Sequence, residues 1–170
     1  MEERIDIYDK NRNRTGKVIA RADAFLGEGE YMLYVLAMLQ DTQGRYLIIR
    51  RALDKKWAAG QWEVPGGGVL AGETSAQAVV REVREEVGLD IAAATQSLEP
   101  LYSYSNVDLT RGDNYFVDIY RIHIDAELDD VVLQESEAIG CMFATWDEIC
   151  ELAEAGEFLH FARLQQALKN

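Results

Sequence analysis

Apolar residues in this chain fall into short runs broken by polar, glycine-marked segments, which predicts strands and short helices. The clearest strand pair lies at residues 31–40 and 45–51, both rich in apolar and β-favouring residues and joined across Asp41-Thr42-Gln43-Gly44. Residues 4–8 and 17–22 flank a polar stretch at 9–16 and predict a short N-terminal hairpin. A brief strand at 62–64 runs into a glycine-rich loop, Gly66-Gly67-Gly68. Further strands are expected at 98–105, 115–124 and 141–144, then a helix at 146–155 and a terminal helix at 158–168.

The strongest local signal lies at 74–88. Thr74 with Gln77 three residues later is a capping box. Val79, Val80, Val83 and Val87 recur at helical spacing, and Gly88 follows where a left-handed residue is wanted. A helix over 75–87 is predicted, with its valine face packed on a sheet.

The chain has 170 residues, 48% of them hydrophobic and 28% charged, which is ordinary globular composition. No repeat or proline-rich linker divides it, so residues 1–170 are expected to form one domain, with 1–28 as an N-terminal extension. The longest apolar run, 31–39, is half the length of a membrane span. The start, Met-Glu-Glu-Arg-Ile-Asp, has no signal-peptide pattern. Cys141 and Cys150 make no zinc spacing and read as reduced thiols, so a cytoplasmic protein is expected. A net charge of −13 argues against nucleic-acid polymers and anionic membranes as partners. Polyanionic small molecules stay open to an acidic protein if divalent metals neutralise the contact. Dimerisation is compatible with the sequence, although no residue pattern demands it.

Glu82, Glu85 and Glu86 stand at i, i+3 and i+4 on the predicted helix, which gathers three carboxylates on one patch. Two readings account for such a cluster. It is a solvated acidic face with a helix ion pair from Arg81, or a set of hard oxygen donors for Mg²⁺ or Mn²⁺. Spacing alone does not choose between them.

The surrounding string does. Gly67, five residues, Glu73, seven residues, then Arg81-Glu82-Val83-Arg84-Glu85-Glu86-Val87-Gly88-Leu89 resembles the signature of the Nudix hydrolase family at every fixed position. Seven fixed residues match by chance on the order of 10⁻⁸ per window. Trp62-Glu63-Val64-Pro65-Gly66 resembles that family's lead-in. The resemblance implies an α/β fold: an α/β/α sandwich around a mixed sheet, here with an N-terminal β-hairpin and a C-terminal helix. It implies that 67–89 form a loop–helix–loop, that Glu82, Glu85 and Glu86 with the Gly67 carbonyl hold Mg²⁺ or Mn²⁺, and that Arg81 orients a signature glutamate. Glu73 would brace the loop–helix junction and Gly68 would let the backbone approach a phosphate.

The implied chemistry is water attack on phosphorus in a small diphosphate-containing metabolite, with the metal lowering the pKa of water. The base that accepts the water's proton is Glu82 or a carboxylate of a later loop, for which Glu137 fits better than Glu135. The N-terminal Ile5-Asp6-Ile7-Tyr8-Asp9 and Gly16 resemble the isopentenyl-diphosphate-isomerase-like branch. Such isomerases use a cysteine before the signature and histidines on the metal, whereas here both cysteines and both histidines follow it. A ligand sensor that binds without cleaving is the alternative from another class, but such modules usually lose signature carboxylates. Substrate-binding residues stay unassigned. Arg50 and Arg51 face opposite ways on a strand, so at most one reaches the site from there. They are weighed against a basic strand edge that discourages pairing. Trp57, Trp62, Tyr102, Tyr104, Tyr115 and Phe116 are weighed as a stacking platform against core packing, and Tyr104 as a subfamily marker.

Overall fold

The computed structural model describes the backbone of residues 1–170 and all side chains but those of residues 95 and 96. Nine strands and three helices follow in order. Strands β1 (Arg4–Tyr8) and β2 (Arg14–Ala20) form an antiparallel hairpin. Then come β3 (Met32–Gln40), β4 (Tyr46–Arg51), β5 (Trp62–Glu63) and β6 (Gly66–Gly68). Helix α1 (Ser75–Val87) precedes β7 (Tyr102–Asn106), β8 (Tyr115–His123) and β9 (Ala138–Ala144). Helices α2 (Trp146–Glu154) and α3 (Phe161–Leu168) end the chain.

The second sheet is mixed: β3 runs parallel to β8, and every other pairing is antiparallel. Alternation along β3 sets the two layers. Leu33, Val35, Ala37 and Leu39 pack with Val79, Val83 and Val87 of α1. Leu36 and Met38 pack with Ile149, Leu164 and Ala167 of α2 and α3 on the other face. This is the expected α/β/α layering with its N-terminal hairpin.

Four local expectations are corrected. The 31–51 hairpin exists, but β3 and β4 pair at Gln40–Tyr46 beside their turn and then part. The following segment fills the widening gap, β5 pairing with β4 and β6 with β3. The triple glycine is therefore a strand, and the reason is steric: a Cβ on Gly66 would lie 2.2 Å from the Val35 carbonyl oxygen. In the N-terminal hairpin, β2 starts at Arg14 rather than 17, because the Asp9 carboxylate accepts the N–H groups of Asn11 and Asn13 in a tighter turn. Gly16, at φ +86°, sits inside the strand, where the register shifts between Asp6 and Tyr8 as in a bulge. The terminal helix starts at Phe161 because Phe158 is bridged to Trp62.

Candidate active site

Helix α1 forms over the predicted span for local reasons. Thr74 and Gln77 exchange both capping-box bonds, at 3.2 and 2.9 Å, and Gly88 closes the helix at φ +72°. Its buried valines fix its rotation, which turns Glu82 and Glu86 toward the gap where β3 and β4 part. Both are buried, while half of the Glu85 side chain stays exposed.

The strand β6 meets this helix through its backbone. The bonds from Ala37 to Pro65 and from Val69 to Leu33 place residues 65 and 69 in hydrogen-bonded register with β3. Gly67, opposite Val35, takes the same phase. The outward backbone groups are therefore those of Gly66 and Gly68. Gly66 N–H donates to Glu86 at 2.9 Å, and the Gly68 carbonyl accepts from Arg81 at 2.8 Å. Gly67 contributes space instead, since a Cβ there would lie 2.4 Å from the Glu82 carboxyl carbon.

Arg81 ties the expected residues together. Its guanidinium donates to both oxygens of Glu73 (2.7 and 3.0 Å), to Glu82 (2.8 Å) and to Glu85 (3.1 Å). Glu73 also accepts from Leu70 N–H at 3.0 Å, which links it to the turn before the helix. Burial disfavours the charged form of Arg81, but the bonds to Glu73 and the charge of Glu82 outweigh it and raise its pKa.

Two further carboxylates join from other elements. Glu137 is half-buried just before β9, forms an ion pair with Lys55, and its carbonyl accepts from Ala52 N–H at 2.9 Å. Glu135 is exposed. Glu63 on β5 is held by Arg51 at 2.8 Å. Burial raises Glu86 well above the usual carboxylate range, and its neighbours Glu82, Glu63 and Glu137 push the same way against the Gly66 N–H. Glu82 and Glu63 are also raised, burial again being the largest cause. As the side chains lie, no three carboxylate, imidazole or thiol groups among the described residues converge on one cation position. The donor set nevertheless suits a hard divalent cation: its ligands are oxygens, Glu82 and Glu86 are buried, and Glu86 has no ion pair among the described residues.

Behind β6 lies a cavity of about 640 Å³. Its wall reaches the carboxylate cluster at Glu63, Gly66 and Gly67, and carries Arg21 and Arg51 at that end. Tyr34, Trp57, Tyr104 and Tyr115 add aromatic surface. Of the two adjacent arginines, Arg51 enters the cavity and Arg50 stays exposed, donating to the Gly60 carbonyl at 3.0 Å. Sequence reasoning missed Glu63 and Arg21. Glu63 had one signal, a lone carboxylate in a short apolar strand directly before the glycines, whereas Arg21 had none beyond the basic character of the N-terminal stretch.

The two glycines separate fold from chemistry, which gives a first prediction. Gly66→Ala drives a Cβ into backbone and should cost about 3 kcal/mol in denaturant unfolding. Gly67→Ala meets a carboxylate that can swing, so it should keep most of that stability and lose at least tenfold in kcat. The reverse ordering would refute the division.

The NUDIX domain family matches residues 30–164. The chain is similar to an uncharacterized Nudix hydrolase of Listeria monocytogenes, 33% identical over 97% of this chain and 94% of that protein. It is similar to an isopentenyl-diphosphate Delta-isomerase of Corynebacterium diphtheriae, 34% identical over 73% of this chain and 67% of that one. Among solved structures, DR0079 of Deinococcus radiodurans superposes with a TM-score of 0.70 at 29% identity, covering 91% of both chains.

Proposed function

This chain belongs to the Nudix hydrolase family, and from that premise we propose that it is a divalent-metal-dependent diphosphatase acting on a small, diphosphate-containing metabolite. The observation that carries this reading is the placement of Glu86 and Glu82 against Gly66 and Gly67 of β6, with Glu85 tied to the same Arg81 as Glu82 and a cavity bearing two arginines directly behind. Mg²⁺ or Mn²⁺ would be held by these three carboxylates. The backbone donor is the carbonyl of Gly66 rather than that of Gly67, because the Gly66 backbone is the one turned toward Glu86. A cation held there would supply neutralisation of the diphosphate, a lowered pKa for the attacking water and stabilisation of the leaving oxygen.

The protein's own groups do the rest. Arg81 fixes Glu82 and Glu85 through the Glu73-braced turn, so that two ligands share one anchor. Glu137 accepts the water's proton: it lies off the metal-holding helix, near Glu86 and Glu63, and part of its side chain is open to solvent. Arg51 faces the phosphates from the cavity. The isomerase reading requires a thiol at the site, and no cysteine lies among the described cavity residues.

Product release should be followed across nucleoside-diphosphate sugars, ADP-ribose, dinucleoside polyphosphates, nucleoside di- and triphosphates and thiamine diphosphate with Mg²⁺. Turnover of one class supports the reading and names the substrate. Silence across the panel, with the same ligands stabilising the fold, replaces it with a sensor.

Metal addition is a second prediction. Mg²⁺ at 100 times its Kd should stabilise the protein by about 2.7 kcal/mol, or roughly 5–10 °C in melting temperature for a chain of this size. The sign of the pH dependence follows from the raised carboxylates. Their folded pKa lies above the unfolded value, so without metal their contribution to stability falls as pH rises through that window. Mg²⁺ competes with those protons. The Mg²⁺-induced shift should therefore be largest at pH 8 and shrink on acidification, and a shift that grows toward pH 5 would refute the ligand assignment.

A further inference from the structure

A 3-10 turn at Arg21–Asp23 ends the N-terminal hairpin and brings Arg21 into the cavity from outside the segment that the NUDIX domain family matches. The turn is fixed by the bond from Arg21 N–H to the Glu3 carbonyl at 2.9 Å. The guanidinium lies 5.5 Å over the Tyr34 ring and donates to the Glu3 carboxylate at 2.7 Å. It fills the room that Gly68 leaves, since a Cβ on Gly68 would stand 3.2 Å from the guanidinium carbon. Successive strand residues face opposite ways. Gly67 thus admits the Glu82 carboxylate from one face of β6 and Gly68 admits Arg21 from the other, with glycine backbone between.

Tyr34 also bonds the guanidinium and Glu82 attracts it. The Glu3 pair is the only carboxylate contact it makes among the described residues, and it does not by itself account for this placement. Half of the Glu3 side chain is exposed, and such pairs contribute little. Two-thirds of the Arg21 side chain is nevertheless withdrawn from water, which is costly for a guanidinium unless anions meet its donors. A guanidinium offers five N–H groups in a fork that matches phosphate oxygens. We propose that Arg21 is a substrate-binding residue that grips non-bridging phosphate oxygens at β6, on the face opposite the α1 carboxylates, exchanging its Glu3 partner for them. This assignment rests on the diphosphatase reading and extends it: the hairpin that precedes the family's domain supplies part of the phosphate site.

The test uses the full chain with Mg²⁺ and α,β-methylene-ADP, whose P–C–P bridge resists hydrolysis, in calorimetric titration. Arg21→Ala should weaken binding at least tenfold, and Arg21→Lys should recover part of the loss. Glu3→Ala should bind as tightly as wild type or tighter, since it removes a competitor for the guanidinium. Melting curves of each variant check folding. On a panel substrate, Arg21→Ala should raise KM more than it lowers kcat. Arg21→Ala binding like wild type, or Glu3→Ala losing as much as Arg21→Ala, overturns the assignment, the latter by showing that the ion pair is structural. A wild type that turns over a panel diphosphate while Arg21→Ala keeps its KM overturns Arg21 alone. A wild type that binds no probe and turns over no diphosphate overturns the diphosphatase reading and this assignment with it.

Discussion

Glu86→Gln is expected to abolish turnover and to leave the metal-free protein as stable as wild type or more so. Loss of one preorganised charged group at a reacting phosphate costs on the order of 10²–10³ in kcat. A lost metal ligand adds a raised Mg²⁺ requirement. Stability should move the other way. Glu86 is buried beside Glu82, Glu63 and Glu137, and all these influences oppose its ionisation. A glutamine keeps an oxygen to accept from Gly66 N–H while removing the buried charge. Activity lost with stability kept is the signature of a residue held for function at the expense of the fold. Glu85→Gln should also lose turnover, but with little change in melting temperature because that side chain is half exposed. Glu137→Gln separates ligand from base. It should lose about 10²-fold in kcat with an unchanged Mg²⁺ requirement. Near-wild-type turnover by Glu86→Gln or Glu85→Gln, measured at saturating Mg²⁺, would sink the metal assignment.

The helix and its carboxylates were legible in the sequence because everything that fixes them is local. The Thr74–Gln77 box, the valine spacing and Gly88 lie within fifteen residues, and the structure reproduces each. The sheet was less legible because its decisive pairings are distant. Nothing near Tyr46 announces that β4 leaves β3, or that β3 takes its parallel partner from residues 115–123. The triple glycine reads as a loop by propensity. It becomes a strand because backbone and carboxylate crowd it from both sides, a fact about Val35 and Glu82 rather than about glycine. Arg12 shows the same limit. It stands in a polar run that reads as a turn, and turn it is, yet its partner lies 106 residues away.

That partner makes the expected loss of stability in Arg12→Ala as large as that of Gly66→Ala. Asp118, on the central strand β8, is 2% exposed. It accepts a bidentate pair from Arg12 at 2.9 and 2.8 Å, and hydroxyl bonds from Ser103 and Ser75, each at 2.6 Å. Ser75 opens α1 and also accepts from the Tyr120 hydroxyl at 2.7 Å, so the N-terminal hairpin is pinned to the first residue of the helix that carries Glu82, Glu85 and Glu86. Arg12 holds φ +64° to reach it, a conformation uncommon for its residue type. Removing one member of a buried pair leaves the other uncompensated, at a cost of about 3 kcal/mol. For a domain of this length that lowers the melting temperature by roughly 6–12 °C.

The pH dependence distinguishes this account from simple loss of contacts. In wild type, burial raises the Asp118 pKa, but Arg12, Ser103 and Ser75 outweigh it and hold the pKa below the usual carboxylate value. A depressed folded pKa contributes stability above the unfolded value of 3.8, and that contribution is lost as pH falls through the folded pKa. Without Arg12 the burial effect is less opposed and the folded pKa rises. Asp118 in Arg12→Ala then takes up a proton more readily on acidification, which relieves its unpaired charge. The gap in melting temperature between the two proteins should therefore be widest near pH 7 and narrow toward pH 4. A constant gap would mean that Arg12 acts through packing on Phe116, whose ring it covers at 5.2 Å, rather than through the charge of Asp118.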